Sequence, residues 1–110
     1  MEEFSKIEKF VIAYIWHEFF GKLYFSSSDK PEDFLAKTIA SELIKEKEMR
    51  KRQELTKLIA QAINKLKEYW ILQVSGYEVT LTSYGQNLAQ SIPKAEYEKL
   101  KNEISAGKFK

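Results

Sequence analysis

The hydrophobic period changes once, abruptly, near residue 69, and that change limits the folds open to the chain. Upstream, Leu55, Ile59, Ala62, Ile63, Leu66 and Tyr69 fall on one face of a helix. The opposite face carries Lys57, Gln61, Asn64, Lys65 and Glu68. Downstream, residues 70–74 and 77–82 are aliphatic, β-branched and aromatic, with Ser75-Gly76 between them. Glycine supplies the positive φ that a two-residue turn needs, so Ser75-Gly76 predicts a tight hairpin in which Val79 and Leu81 alternate inward. Another helix follows through Gly85, Leu88 and Ala89, with Gly85 allowing it to lie close to the hairpin. Helix, hairpin, helix in that order predicts a mainly α protein with a small antiparallel sheet, an α+β class.

The rest of the chain is read around this segment. Residues 4–20 predict a first helix with two apolar stripes: Phe4, Ile7, Phe10, Val11, Tyr14 and Ile15, then Ile12, Trp16, Phe19 and Phe20. Such a helix must be covered on both sides. Gly21 is its expected stop. Residues 22–25 fit a short strand and 26–28, three serines, a polar loop. The serines lack the glycines and lysine of a phosphate cradle and have no paired base. Asp29 with Glu32 resembles a capping box, and Pro31 suits a first helical turn. Phe34, Leu35, Ile39, Leu43 and Ile44 then predict a second helix. In residues 45–54 the apolar pattern lapses. The helix either continues or turns there, and a turn is expected because one helix from 31 to 69 would far exceed globular lengths. Ile92-Pro93 breaks the fourth helix. A short fifth follows through Ala95, Tyr97, Leu100 and Ile104, and residues 105–110 read as a frayed tail.

With 110 residues the chain has room for one core, so 1–110 is expected to be a single domain. Its first part is a helix in 1–21, its middle 29–92, and its end a helix and tail in 93–110. Cysteine is absent, which excludes disulfides, zinc fingers and thiol catalysis. The apolar run 10–20 is too short to span a bilayer, and Met1-Glu2-Glu3 is acidic where a signal peptide needs a basic region. A cytoplasmic location without membrane contact is expected.

The middle of the chain resembles a known family. Tyr77-x-x-x-Leu81-Thr82-x-x-Gly85-x-x-Leu88 resembles the Leu-Thr-x-x-Gly-x-x-Leu signature of MarR- and PadR-like winged-helix regulators and of small archaeal proteins of that fold. Leu66-Lys67-Glu68-Tyr69-Trp70-Ile71-Leu72 is similar to the family's Leu-Glu-x-x-Gly-Leu-Ile. The resemblance spans residues 35–92 and implies a winged helix-turn-helix that binds double-stranded DNA as a small transcriptional regulator or chromatin-type protein. Two departures stand out. Trp70 occupies the place of a glycine that caps the recognition helix in a left-handed conformation. A tryptophan is strained there, so the helix is expected to end differently. The hairpin tip also carries no Lys or Arg.

No catalytic or cofactor constellation is visible, and no metal set. His17, the one histidine, has no nucleophile at a telling spacing, and reads as a packed or partly exposed core residue. Glu32-Asp33 and Glu46/Glu48 read as solvated helix faces. The net charge of +2 is too small to announce nucleic acid. Locally, Arg50, Lys51 and Arg52, with Lys57 nearby, would meet phosphates before the third helix, or would form an ordinary solvated face with the interleaved Glu46, Glu48 and Glu54. Gln61, Asn64 and Lys65 suit base edges and phosphates, and equally a plain polar surface. The aromatics Tyr14, Trp16, Phe19, Phe20, Tyr24 and Phe25 fit core and dimer packing better than base stacking, because no Lys or Arg is interleaved. Excess apolar surface at Ile12, Trp16, Phe19, Phe20, Tyr97, Leu100 and Ile104 predicts a homodimer. The alternative to DNA binding is a winged-helix module for protein–protein assembly. The sequence names no small-molecule effector.

Overall fold

The computed structural model describes residues 4–25 and 29–110; the acidic opening Met1-Glu2-Glu3 and the serine run 26–28 lie outside the described residues. Helix α1 (Lys6–Phe19) starts at a capping box: the Ser5 hydroxyl accepts the Glu8 N–H at 3.1 Å and the Glu8 carboxylate accepts the Ser5 N–H at 2.9 Å. Strand β1 (Lys22–Tyr24) and helix α2 (Pro31–Leu43) follow. A single 3-10 turn, Glu46–Glu48, then leads directly into helix α3 (Met49–Glu68). Strands β2 (Leu72–Ser75) and β3 (Glu78–Leu81) form a hairpin, and helices α4 (Ser83–Gln90) and α5 (Lys94–Ser105) complete the chain. The sheet is antiparallel in the order β1-β3-β2, so Val79 on the central strand faces Leu23 on one side and Val74 on the other. The protein is thus mainly helical with a small antiparallel sheet.

Helix α1 is the centre of the core. Seven of its residues, Ile7 and then Phe10 through Ile15, are buried because α3, α4, α5 and β1 all pack against it. One side meets α3, whose stripe of Leu55, Ile59, Ala62, Ile63 and Leu66 is buried as its spacing requires. The second stripe, expected to need a partner subunit, divides: Ile12 is buried, Trp16 is half-buried and Phe19 and Phe20 are exposed, while α5 of the same chain packs on α1 through Phe10 and His17. Tyr97 and Ile104 are fully buried, Leu100 nearly so, and the Phe10 and Tyr97 rings stack at 5.7 Å. The Tyr97 hydroxyl donates to Glu18 at 2.6 Å and the Tyr14 hydroxyl to Glu42 at 3.2 Å. Burial, reinforced by these carboxylates, pushes both phenols above the usual tyrosine range. His17 lies in the same layer; it donates to the Ile92 carbonyl at 2.8 Å and stacks on Tyr97.

The end of α3 departs from expectation. Trp70 does adopt the left-handed conformation, at φ 60°. The Ile71 N–H reaches back to the Leu66 carbonyl at 2.9 Å and the Trp70 N–H to Lys67 at 3.1 Å, the bonding pattern of a Schellman cap. Leu66 and Ile71, the pair whose apolar contact accompanies this cap, are both fully buried. These anchors hold a backbone that costs an L-residue roughly 1–2 kcal/mol. The indole escapes collision by projecting outward, 76% exposed. At the end of α1, Phe20 repeats the arrangement, at φ 57° and 89% exposed.

Beyond Trp70, Thr82 joins three elements. Its N–H donates to the Ile71 carbonyl at 3.0 Å, its hydroxyl donates to the Trp70 carbonyl at 2.6 Å, and the same oxygen caps α4 by accepting the Gly85 N–H at 3.0 Å. A Cβ at Gly85 would collide with the Ile71 carbonyl oxygen, so only glycine lets α4 start this close.

Three local expectations shift. The hairpin turn is Gly76-Tyr77, one residue later than Ser75-Gly76: Ser75 pairs with Glu78, and Gly76, at φ 58°, takes the first central position, as in a type II′ turn. Helix α2 has Lys30 rather than Asp29 at its N-cap, because Pro31 takes the first helical position; Asp29 lies 3.8 Å from Lys37 instead. Glu32 is no solvated carboxylate. Its oxygen accepts from Lys67 at 2.7 Å across the α2–α3 contact.

Gly85→Ala is expected to lower the melting temperature sharply, and Leu81→Ala, removing a buried side chain, to cost about 2–5 kcal/mol. Trp70→Gly should leave stability unchanged or raise it by up to about 1 kcal/mol, since relieved strain slightly exceeds the added freedom of the unfolded chain. Thermal melts of the three variants check the signs. The Lys67 bond holds the Glu32 carboxyl below the usual carboxylate range. Its stabilisation is therefore present above the ordinary glutamate value of about 4.3 and fades as pH falls through the lower native one. Glu32→Gln should flatten the acid limb of a stability–pH curve and leave its alkaline limb in place.

Candidate nucleic-acid interface

The outward face of α3, the helix that leads into the hairpin, is polar. Twenty residues make it about 30 Å long. With Leu55, Ile59, Ile63 and Leu66 turned inward, the helical period carries Arg50, Lys57, Gln61, Asn64 and Lys65 to solvent, and all five are exposed. Among the described residues none of Arg50, Lys57 and Lys65 is held in an ion pair. Three cations and two amides with free side chains thus line one helix.

Two residues of the expected basic cluster are used otherwise. Arg52 is half-buried, and its Nε and Nη2 both donate to the Ile44 carbonyl, at 3.0 and 2.8 Å. Ile44 caps the end of α2, so this guanidinium ties down a carbonyl that no helical N–H reaches. It closes the α2–α3 turn and is not available to phosphate. Lys51 lies 3.5 Å from Glu48, and its side chain runs over Gly107.

The expected dimer face does not exist as one surface. Ile12, Tyr97, Leu100 and Ile104 are buried within the chain, and Trp16 is partly buried against Gly21. Phe19 and Phe20 remain exposed. The other aromatics of that end also part ways: Tyr14 enters the core, Phe25 stacks on Phe34 at 5.2 Å, and Tyr24 is exposed.

The hairpin tip offers phosphate nothing. Tyr77 projects outward, and the Glu78 carboxylate accepts the Thr80 hydroxyl at 3.0 Å and lies 3.8 Å from Lys22. The Thr80 bond, then Tyr24 and Lys22, hold Glu78 below the usual carboxylate range.

Beside α3 runs a groove of about 990 Å³, lined by Glu54, Leu58, Gln61, Ala62 and Lys65, by the first turn of α1, and by residues 107–110. Residues 105–110 were expected to fray; Ser105 instead closes α5, and the last four residues depart from that reading too. They are folded back. Gly107, at φ 90°, donates to the Ile104 carbonyl, Lys108 to that of Glu103, and Phe109 packs against the core. Gly107 after a helical run signals such a cap in the sequence, whereas the Phe109 contact is long-range and carries no local signal. Among the described residues no group of three or more His, Cys, Asp or Glu side chains converges, and no helix is long and apolar enough to cross a membrane.

The chain matches no family profile, no curated protein and no solved structure.

Arg52→Ala should act on stability and not on any electrostatic contact. The buried Ile44 carbonyl would lose its partners, at a cost of about 1–3 kcal/mol. Arg52→Lys should rescue only part, because an ammonium cannot donate from two fixed nitrogens. Chemical denaturation of both variants measures this.

Proposed function

We propose that the chain is a winged-helix protein that binds double-stranded DNA through the outward face of α3, as a small regulator or chromatin-type protein. The observation that carries this is the exposed row of Arg50, Lys57, Gln61, Asn64 and Lys65 on a helix that runs into a two-stranded hairpin. The element order α1-β1-α2-α3-β2-β3 with sheet order β1-β3-β2 supports the fold reading, as do the structural roles of Thr82 and Gly85 in the resembled signature. Cations contact phosphate and set affinity, while Gln61 and Asn64 are suited to base edges in the major groove. The contribution of the hairpin is steric, since its tip holds no cation. A location in the cytoplasm fits this reading.

The bare tip favours a second reading, a winged-helix module for protein–protein assembly. Phe20 and Trp70 support it too, as exposed aromatics held in a conformation that glycine would adopt without strain. Any self-association would draw on these and on Phe19, the apolar residues left uncovered near the chain's α1 end and the α3 cap.

Binding to a random duplex across a salt series separates the two. The expected result is a log–log slope of about −0.9 per phosphate contacted. Lys57→Gln should weaken all sequences alike and reduce the slope by about 0.9. Asn64→Ala or Gln61→Ala should instead narrow the spread between sequences, by about 1–3 kcal/mol where that side chain pairs with a base. Absence of duplex binding at low salt, or a slope indifferent to Lys57, transfers the function to assembly.

A further inference from the structure

We infer that the folded-back C-terminal segment, residues 107–110, is a second phosphate-contacting element that flanks α3 and enlarges its duplex surface. The inference rests on duplex binding by α3. Three contacts fix these residues. The Gly107 cap turns the chain at the end of α5: Gly107 N–H reaches the Ile104 carbonyl at 2.9 Å and Lys108 N–H the Glu103 carbonyl at 3.0 Å. Phe109 then packs against the core in a groove whose apolar lining is Ile7, Leu58 and Ala62. The Lys51 side chain closes the outside of the turn over Gly107.

The result is a positional one. Phe109 packs on the core, and the flanking, exposed Lys108 and Lys110 line the same groove as Gln61 and Lys65 of α3. Neither lysine is held in an ion pair among the described residues, although Lys108 lies within electrostatic reach of Glu103. Lys6 pairs with Glu103 at 2.9 Å, whereas Glu8, which accepts only the neutral Ser5 N–H, keeps its charge and opposes the lysines together with Glu54. Lys65, Lys108 and Lys110 outnumber these two carboxylates in the groove lining and add to the cations of the α3 row. A polyanion following that row meets these lysines as well, and duplex phosphate is the chemistry that matches them. The sequence alone did not reveal it, because the two lysines sit far from residues 50–65 along the chain.

The test compares salt slopes for duplex binding by the full chain, by K108Q/K110Q, and by K94Q/K99Q, which loses the same charge from the body of α5. The expected outcome is a slope reduced by about 1.8 in K108Q/K110Q, two phosphates' worth, and unchanged in K94Q/K99Q. Phe109→Ala, which keeps every cation but releases the segment, should weaken binding as well. If the parent binds with its Lys57-dependent slope while K108Q/K110Q matches it, the flanking element is refuted and α3 binding stands. If K94Q/K99Q falls as far as K108Q/K110Q, only net charge matters and the inference fails. If the parent binds no duplex, both fall together.

Discussion

The carbonyl of Ile71 is the point on which the second half of the fold depends. It accepts the Thr82 N–H, and it leaves no room for a Cβ at Gly85, so it fixes how close α4 can come. Ile71 itself ends the Schellman cap of α3 through its bond to Leu66, and the next residue opens β2. A single residue, through its N–H and its carbonyl, therefore sets the exit of α3, the base of the hairpin and the entry of α4. On the other side of β3, the Leu81 N–H donates to the Gly21 carbonyl at 2.8 Å, which ties the end of α1 to the same junction. Buried backbone groups demand partners, and here four elements meet that demand at one place. The Leu-Thr-x-x-Gly sequence is the chemical statement of this junction: a buried apolar residue, a hydroxyl that caps and bridges, and a residue without a Cβ.

Because the junction is so constrained, it tolerates strain nearby. Trp70 and Phe20 both end helices in the left-handed region, and Gly107 holds the corresponding place at the end of α5. At α5 glycine makes the turn without steric penalty. At α1 and α3 the tertiary bonds impose it on aromatic residues, whose rings then have nowhere to go but solvent. Local preference argued against Trp70 in this role, and it lost to the combined pull of the Leu66 and Lys67 carbonyls, the Thr82 hydroxyl and the burial of Ile71.

That conflict marks the boundary of what the chain reveals in one dimension. Periodicity exposed the buried stripe of α3 and the alternation of Val79 and Leu81, since each depends on residues a few positions apart. Gly85 was readable because its role is steric and absolute. The dimer face was misread for the opposite reason: nothing in the spacing says that Ile12 enters the chain's own core while Phe19 and Phe20 stay exposed, or that Tyr97 of the distant α5 stacks on Phe10. Arg52 was misread likewise. A cation in a basic run looks like its neighbours until the Ile44 carbonyl is seen to need it.

The candidate interface is accordingly narrower in one direction and wider in another than composition suggested. A net charge of +2 is weak only when averaged over the chain. Internal pairing removes cations from the count where they face carboxylates, as Lys67 does Glu32 and Lys6 does Glu103. What remains is uneven: Arg50, Lys57 and Lys65 on α3 are unpaired, while the hairpin tip carries a carboxylate. Screening over roughly 10 Å at ordinary ionic strength means that a phosphate near α3 feels this local excess more than the molecular total. The decisive electrostatic variable is therefore which cations the fold leaves outside ion pairs, and on α3 three of them share one exposed face.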